Sequence, residues 1–195
     1  MPDWFVTLHP GGTVPSVSYE GVLFNKSFAI LELISELYPD SSIQPKSLLE
    51  RTRVREFSEH FEKYVSKPWR LVFRRGEPPS VLLDTFVGLQ AQLPPIPVGT
   101  KQGEPVFVTA EWSMAEMVTG PFLVRAWLFF AHDIGKYEAG AGPAAFKELN
   151  EGPKFARLRR YVEDIKAHPV WKATWDEEDQ LKVWGSWEGV LRSSH

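Results

Sequence analysis

The sequence predicts a mainly α-helical protein that opens with a short β-β-α unit. Three observations support this fold class. From Ser47 onward, apolar residues recur at steps of three and four over most of the chain, which is the spacing of a helix face. Before that point, two short apolar runs flank a glycine turn, as in a hairpin. The chain has 195 residues, of which 43% are hydrophobic, enough for one sizeable domain or for one domain with a small satellite.

The first part of the β-β-α unit is predicted to be extended over residues 1–24. Alternation of apolar and polar residues predicts one strand over residues 14–18. A second short strand is predicted at Val22-Leu23-Phe24, and Glu20-Gly21 forms the turn between the two.

A helix is predicted to follow the second strand. Asn25 or Ser27 caps its start, and Pro39 ends it. The segment from Pro39 to Pro45 has the composition of a linker. We therefore predict two domains, over residues 1–40 and residues 41–195.

The second domain is predicted to be entirely helical. Ser47 and Glu50 have the spacing of a capping box, and Pro68 kinks or ends the long helix that starts there. Residues 113–133 are hydrophobic nearly all round, which indicates a central, enclosed helix with a second capping box at Ser113-Met114-Ala115-Glu116. Further helices are predicted over residues 82–93, from Pro153 to Pro169 and within 176–191, with a loop at 96–105 and a glycine-rich break at 135–142.

Composition excludes several classes of function. The sequence contains no cysteine, which rules out disulfides, thiolate metal sites and a cysteine nucleophile, so any thiol chemistry must take its sulfur from a ligand. The net charge of −3 argues against nucleic-acid binding. We expect a cytosolic protein, since neither a signal peptide nor an apolar run of ~18 residues is evident. No metal is expected, because the histidines lack the spacing of metal ligands: His9, His60, His132, His168 and His195.

Two motifs in the first domain each have a structural and a functional interpretation. Val14-Pro15 is either a plain turn before the strand or a cis proline that points the N–H and C=O of Val14 towards a peptide-like ligand. Ser27 is either a simple helix cap or part of a carboxylate site, because the free N–H groups at a helix N-terminus favour negative charge.

These motifs, taken with three more from the second domain, resemble the glutathione transferase superfamily over almost the whole chain. The resemblance implies a partial thioredoxin-like, glutathione-binding domain followed by the all-helical transferase domain. It is nearest to fungal transferase-like proteins of catabolic and secondary-metabolite pathways. The three further motifs are Trp112-Ser113-Met114-Ala115-Glu116 with Pro121-Phe122-Leu123 and Arg125, then Gly152-Pro153-Lys154-Phe155, then His168-Pro169-Val170-Trp171-Lys172-Ala173-Thr174.

The resemblance implies glutathione as the cofactor and suggests which residues bind it. In the family, the residue before the cis proline binds the cysteinyl backbone of glutathione, which gives this role to Val14 and lets Pro15 shape the site. A Glu-Ser or Gln-Ser pair holds the γ-glutamyl end. Here that pair is Lys26-Ser27, so Ser27 matches the family and Lys26 departs from it.

The residue that activates the thiol is left unassigned. In the family it belongs to a strand-helix-strand unit before the cis proline, which has no counterpart ahead of His9. The strand over residues 14–18 would then be an open edge. We expect a homodimer, or the segment of Trp4, Phe5 and Val6, to cover it.

The helical domain is expected to hold the second substrate. The leading hypothesis is a small glutathione-dependent enzyme acting on an apolar electrophilic or polyunsaturated substrate, as a transferase or as a cis–trans isomerase by reversible thiol addition. The alternatives are a non-catalytic assembly module and a shortened gene model of a longer protein. The candidate pocket residues, for which a plain core role is the simpler interpretation, are Tyr64, Trp69, Phe73, Met117, Trp127 and Phe130.

Overall fold

The computed structural model describes residues 2–41 and 43–192, so His195 lies outside the described residues. The chain begins with a helix, α1 (Asp3–Leu8), followed by an antiparallel hairpin of β1 (Val17–Tyr19) and β2 (Val22–Phe24). The turn between the strands is confirmed: Glu20 and Gly21 both have positive φ, 49° and 79°, as the favoured two-residue hairpin turn requires.

The prediction that residues 1–24 are extended is wrong for α1. The apolar and β-branched residues of this segment favoured a strand by composition. Asp3 instead lies in the first turn of a helix, where a negative charge is favourable. The Thr7 hydroxyl satisfies the Asp3 carbonyl at 2.9 Å, a local contact that propensity does not reveal.

The helix after the hairpin, α2 (Ser27–Leu37), lies where the sequence predicted it, but its cap differs. The N-cap residue is Lys26, and no side chain bonds to the first-turn amides, so neither Asn25 nor Ser27 caps the helix. We call residues 3–37 the N-terminal unit. The domain boundary at residue 40 stays a prediction, although residues 38–47 contain no helix or strand among those described.

The rest of the chain is helical, and we call residues 48–192 the helical domain. The helix break falls at Val65, and Pro68 sits in the first turn of the next helix, where its missing N–H costs no intrahelical bond. Its helices are α3 (Leu48–Tyr64), α4 (Ser66–Arg75), α5 (Ser80–Ala91), α6 (Met114–Ala131), α7 (Ala141–Glu151), a 3₁₀ turn (Pro153–Phe155), α8 (Ala156–Ala167), α9 (Pro169–Thr174) and α10 (Glu177–Ser186).

The helix α6 lies at the centre of the domain, as predicted, and packs against α3, α4, α7 and α8. With 18 residues, α6 is long and apolar enough to cross a membrane by length and composition, although the sequence analysis found no apolar run of that length. However, 67% of it is buried inside the protein, which is the expected environment of a core helix.

The capping box at the start of α6 is confirmed and extends into a buried hydrogen-bond network. The fully buried carboxylate of Glu116 accepts from the N–H and Oγ of Ser113, at 2.9 and 2.8 Å, and from the N–H of Val108 at 3.0 Å. The Tyr161 hydroxyl donates to the same carboxylate at 3.0 Å. Burial raises the pKa of Glu116, while these hydrogen bonds act to lower it.

The helix α7 was not predicted, and Gly142, which the sequence placed in a glycine-rich break, lies in its first turn. A Cβ at Gly142 would lie 2.6 Å from the Tyr137 hydroxyl and 2.7 Å from a carboxylate oxygen of Asp133. That carboxylate accepts from the N–H groups of Gly140 and Gly142, at 2.9 and 3.2 Å. Gly142 therefore allows close packing at the start of a helix whose cap comes from an earlier turn.

Candidate functional site

The Val14-Pro15 peptide bond is cis, as one of its two interpretations predicted, while the ligand-binding role of Val14 stays a prediction. Val14 is 69% exposed and lies just before β1. Among the described residues, its N–H and C=O have no hydrogen-bond partner. These groups can therefore pair with an extended peptide-like ligand in the manner of an added strand.

Ser27 is the first residue of α2, and the helix N-terminus around it is exposed. The first intrahelical bond runs from the N–H of Ile30 to the carbonyl of Lys26, so the amides of residues 27–29 have no partner within the helix. No acidic residue stands in this first turn. Free amides and uncompensated dipole together make a suitable place for a carboxylate.

Lys26 adds a positive charge at the same end of α2. It is exposed and forms no ion pair with a described residue. An ammonium group cannot accept a hydrogen bond, so Lys26 cannot replace the acidic or amide neighbour of the family's Ser.

His9 joins the two ends of this site, and sequence reasoning assigned it no role. It is only 6% exposed, and its Nε2 lies 2.8 Å from the Thr13 hydroxyl. Its Nδ1 contacts the Asn25 amide at 3.5 Å, near the limit of a hydrogen bond. Thr13 precedes Val14 and Asn25 lies two residues before Ser27, so one buried ring lies between the two segments of the site.

A sequence signal for His9 was present in the glycines that follow it. A Cβ on Gly11 would lie 2.9 Å from Cε1 of the His9 ring, so the backbone approaches the ring closely. The Phe5 ring of α1 packs edge-on against His9 with centroids 5.9 Å apart. A Gly-Gly pair beside an isolated histidine is therefore a sign of close packing here.

The six candidate substrate residues do not line one common cavity. Tyr64 is 47% exposed and packs on His60 with ring centroids 4.7 Å apart. Met117 is half-buried on α6. The structure places the other four in or against the core: Trp69 (4% exposed), Phe73 (0%), Trp127 (8%) and Phe130 (0%).

Trp127 lines a cavity of about 290 Å³ between α6, α7, α8 and α10. Its ring stacks on Phe86, with centroids 5.9 Å apart. No residue of the N-terminal unit lines this cavity. The substrate roles of the six residues stay predictions, and the structure does not join this cavity to the Val14 and Ser27 segments.

The described residues contain no set of side chains that could bind a metal ion. Within residues 2–41 and 43–192, no group of three or more His, Asp or Glu side chains clusters closely enough to hold an ion. The features suited to a ligand among the described residues are the two unpaired backbone groups at Val14 and the free amides at Ser27.

The proteins that this chain resembles come from the comparison with solved structures. No protein-family model matches the chain, and no curated protein does. Among solved structures, glutathione transferase Omega 1C from Trametes versicolor is similar over 100% of this chain and 84% of its own, with 28% identity and a TM-score of 0.86. Omega 2S from the same organism is similar over 98% and 84%, with 29% identity and a TM-score of 0.83. Omega 2S in complex with 2,4-dihydroxybenzophenone is similar over 97% of this chain and 84% of its own, with 29% identity and a TM-score of 0.82.

Proposed function

We propose that this chain, which belongs to the glutathione transferase superfamily, binds glutathione at the Val14 and Ser27 segments and uses it on a small apolar electrophile. The superfamily supports a glutathione-dependent, transferase-type enzyme. The observation that carries the proposal is the similarity to the Omega structures over 97–100% of the chain, which includes both segments.

The binding proposal follows from what each segment offers. The unpaired N–H and C=O of Val14 would pair with the cysteinyl backbone of glutathione, as the corresponding residue does in the family. The amides of the first turn of α2 and the Ser27 hydroxyl would hold the γ-glutamyl carboxylate. His9 would keep these two sets of groups at a fixed separation.

Lys26 would act on the thiol of the ligand. A nearby cation and a helix N-terminus both stabilise a thiolate and thereby lower the pKa of a thiol. Since Lys26 cannot accept from the ligand ammonium, the ammonium would face solvent or an acceptor from a second subunit. We therefore expect weaker glutathione binding than the family's acidic neighbour would give.

The substrate is proposed to be an apolar, aromatic or polyunsaturated molecule. As a transferase, the thiolate attacks an electrophilic carbon and a leaving group departs. As an isomerase, the thiolate adds to a conjugated double bond, the resulting single bond rotates, and elimination returns the thiolate. The Omega 2S complex with a benzophenone supports an aromatic ligand, and a fungal secondary-metabolite pathway is the proposed setting.

Calorimetric titration with glutathione tests the proposal. Ser27→Ala should weaken binding by about tenfold or more, which corresponds to the loss of one hydrogen bond to a charged group. Ser80→Ala is the matched control, because Ser80 is likewise the exposed first residue of its helix, α5, with no side-chain cap bond. The control should bind glutathione as the wild type does.

The outcome that contradicts the proposal is an absence of binding at millimolar glutathione, which would favour the non-catalytic assembly module. Equal weakening by Ser27→Ala and Ser80→Ala would also contradict the assigned site. A further variant, Lys26→Gln, should raise the pKa of the bound glutathione thiol relative to the wild type. The ultraviolet absorbance of the thiolate measures this pKa. Conversion of a generic aryl halide would support the transferase reaction.

We also propose a homodimer that covers the apolar surface of the N-terminal unit. The α1 helix packs Phe5 on His9 but leaves Trp4 and Leu8 exposed, at 66% and 64%. Val22 of the hairpin is 56% exposed. Sedimentation equilibrium should give twice the chain mass, and a monomer at all concentrations would refute the proposal.

A further inference from the structure

A cleft of about 410 Å³ opens between α4, the turn after α6 and the segment that follows α10. Five of the side chains that line it are cations, and Leu71 and Gly189 complete the lining. Among the residues that the structure describes, no Asp or Glu belongs to the lining. The cations are Lys67, Arg70, Arg74, Arg75 and Lys136.

These five cations have no acidic partner among the described residues. Within residues 2–41 and 43–192, none of the five forms an ion pair or donates a side-chain hydrogen bond. Their like charges repel one another. The protein as a whole has a net charge of −3, so this cluster of positive charge is confined to one part of the surface. Arginines that do donate to a carboxylate, carbonyl or amide oxygen are Arg51, Arg55, Arg125, Arg157, Arg159, Arg160 and Arg192.

The walls of the cleft are tied together through the backbone. The N–H of Lys136 donates to the carbonyl of Phe73 at 3.1 Å, which joins the turn after α6 to α4. At the end of α4 itself, the N–H of Glu77 donates to the carbonyl of Leu71 at 3.2 Å. These bonds occupy carbonyls in the last turns of α4, so the lysine and arginine head groups are not needed to cap them. The Arg74 guanidinium lies 4.8 Å from the Trp187 ring centroid, which holds one cation in place.

The cations on α4 come from one side of the helix. Lys67, Arg70 and Arg74 are spaced by three and four residues, so they project from neighbouring turns. Lys136, in the turn after α6, lines the cleft from a second element. A ligand that enters is therefore contacted by positive charge from two separate elements.

We propose that this cleft binds a small anion that carries two or three phosphate groups. Guanidinium groups match phosphate oxygens with paired, charge-assisted hydrogen bonds, and lysine adds a mobile positive charge. A concave site with cations on two walls suits a compact polyanion. A nucleic acid or a membrane surface would require an extended basic face instead.

The proposal is tested by titration of the whole protein with inorganic tripolyphosphate at low and at high salt. The wild type should bind one equivalent, less tightly at high salt, because screening weakens exposed charge interactions. The double variant Arg70→Gln/Lys136→Gln removes one cation from each wall and should weaken binding at least tenfold, about the effect of one lost charge-assisted hydrogen bond. Thermal unfolding of the variant should match the wild type without ligand.

The control is Arg53→Gln, which removes an exposed arginine on α3 that forms no ion pair with a described residue and lies outside the cleft. It should bind tripolyphosphate as the wild type does. Equal weakening in this control, or no binding by the wild type at low salt, would overturn the proposal. So would binding of anionic vesicles or single-stranded RNA without binding of tripolyphosphate. Glutathione binding should be unchanged in the double variant, which separates this proposal from the previous one.

Discussion

The N-terminal unit and the helical domain are held together in different ways. In the N-terminal unit the buried side chains are those of His9, Ile30 and Ser35. The helical domain contains one continuous aromatic core, in which Phe73 lies 4.9–5.1 Å from the ring centroids of Phe129 and Phe130. The comparison teaches that the proposed glutathione-binding groups belong to the region that contributes least to the core.

An exposed ion pair connects the N-terminal unit to the helical domain. The Glu32 carboxylate of α2 forms an ion pair at 2.8 Å with Arg55 of α3, and both side chains are partly exposed. An exposed pair of this kind contributes at most about 1 kcal/mol. Mutations should therefore separate stability, which depends on the helical domain, from glutathione binding, which is proposed to depend on the N-terminal unit.

The largest effect is expected from Glu116→Ala in the helical domain. The substitution leaves the buried donors of Val108, Ser113 and Tyr161 without their acceptor. We expect the free energy of unfolding to fall by about 3 kcal/mol or more, and the melting temperature by roughly 6 to 12 °C. Thermal unfolding followed by circular dichroism measures the change.

Glu163→Ala is the control for that experiment, because Glu163 is an exposed glutamate of α8 with no hydrogen bond to a described residue. Its melting temperature should stay near that of the wild type. If the two variants lost the same amount, the network around Glu116 would not be a main source of stability.

A smaller effect on stability and a selective effect on binding are expected from His9→Ala. The substitution removes the ring between Thr13 and Asn25, so the Val14 and Ser27 segments lose their fixed separation. Glutathione affinity should fall by about tenfold, equivalent to one hydrogen bond at its upper range. The melting temperature of the helical domain should change little.

His132→Ala serves as the comparison, since His132 is an exposed histidine at the end of α6. Hydrogen exchange should increase over residues 9–25 in His9→Ala and stay unchanged in His132→Ala. A large drop in melting temperature in His9→Ala, without loss of affinity, would mean that His9 supports the fold and not the site.

The smallest effect is a pH dependence at His168 in the helical domain. Nδ1 of His168 accepts from the N–H of Val170 at 3.3 Å and caps α9, and burial lowers the pKa of His168 below its ordinary value of 6.5. The neutral ring is therefore favoured in the fold. The cap is intact above pH 6.5 and is lost as the pH falls through the lowered pKa.

His168→Asn keeps a capping acceptor and removes the titration. From neutral pH to about pH 5, the wild type should lose about 2 °C more in melting temperature than this variant, which is within the range for one helix cap. Parallel melting curves of the two proteins over this range test the assignment. Identical pH profiles would show that His168 does not cap α9 in solution.

Periodicity and capping chemistry predicted much of the fold. The apolar residues that recur at steps of three and four after Ser47 are buried in α3, as Val54, Phe57 and Phe61 show, and the capping box at Ser113 and Glu116 is complete. These features are local, since each depends on residues within a few turns of one another. Local rules therefore sufficed for them.

Features that depend on distant partners were missed. Glu50 does not complete the box with Ser47, because its carboxylate accepts from the N–H of Ala110 at 3.3 Å, sixty residues away. No spacing rule records contacts between residues so far apart in the chain.

The candidate site was predicted in part for the same reason. The helix start near Ser27 was predicted from a short motif, whereas the motif at Val14-Pro15 left a plain turn and a cis bond as alternatives. The role of His9 depends on Asn25, sixteen residues away, and was missed. The aromatic candidates Trp69, Phe73 and Phe130 were chosen by residue type, which cannot distinguish a pocket lining from the core that contains them.

The uneven distribution of aromatic residues has an optical consequence. Seven of the eight tryptophans lie in the helical domain, and Trp4, in α1, is the one that does not. Intrinsic fluorescence of the protein therefore reports mainly the unfolding of the helical domain. Quenching by a dissolved acrylamide probe would instead act first on Trp4, which is 66% exposed, so emission and quenching together provide separate signals for the two regions of the chain.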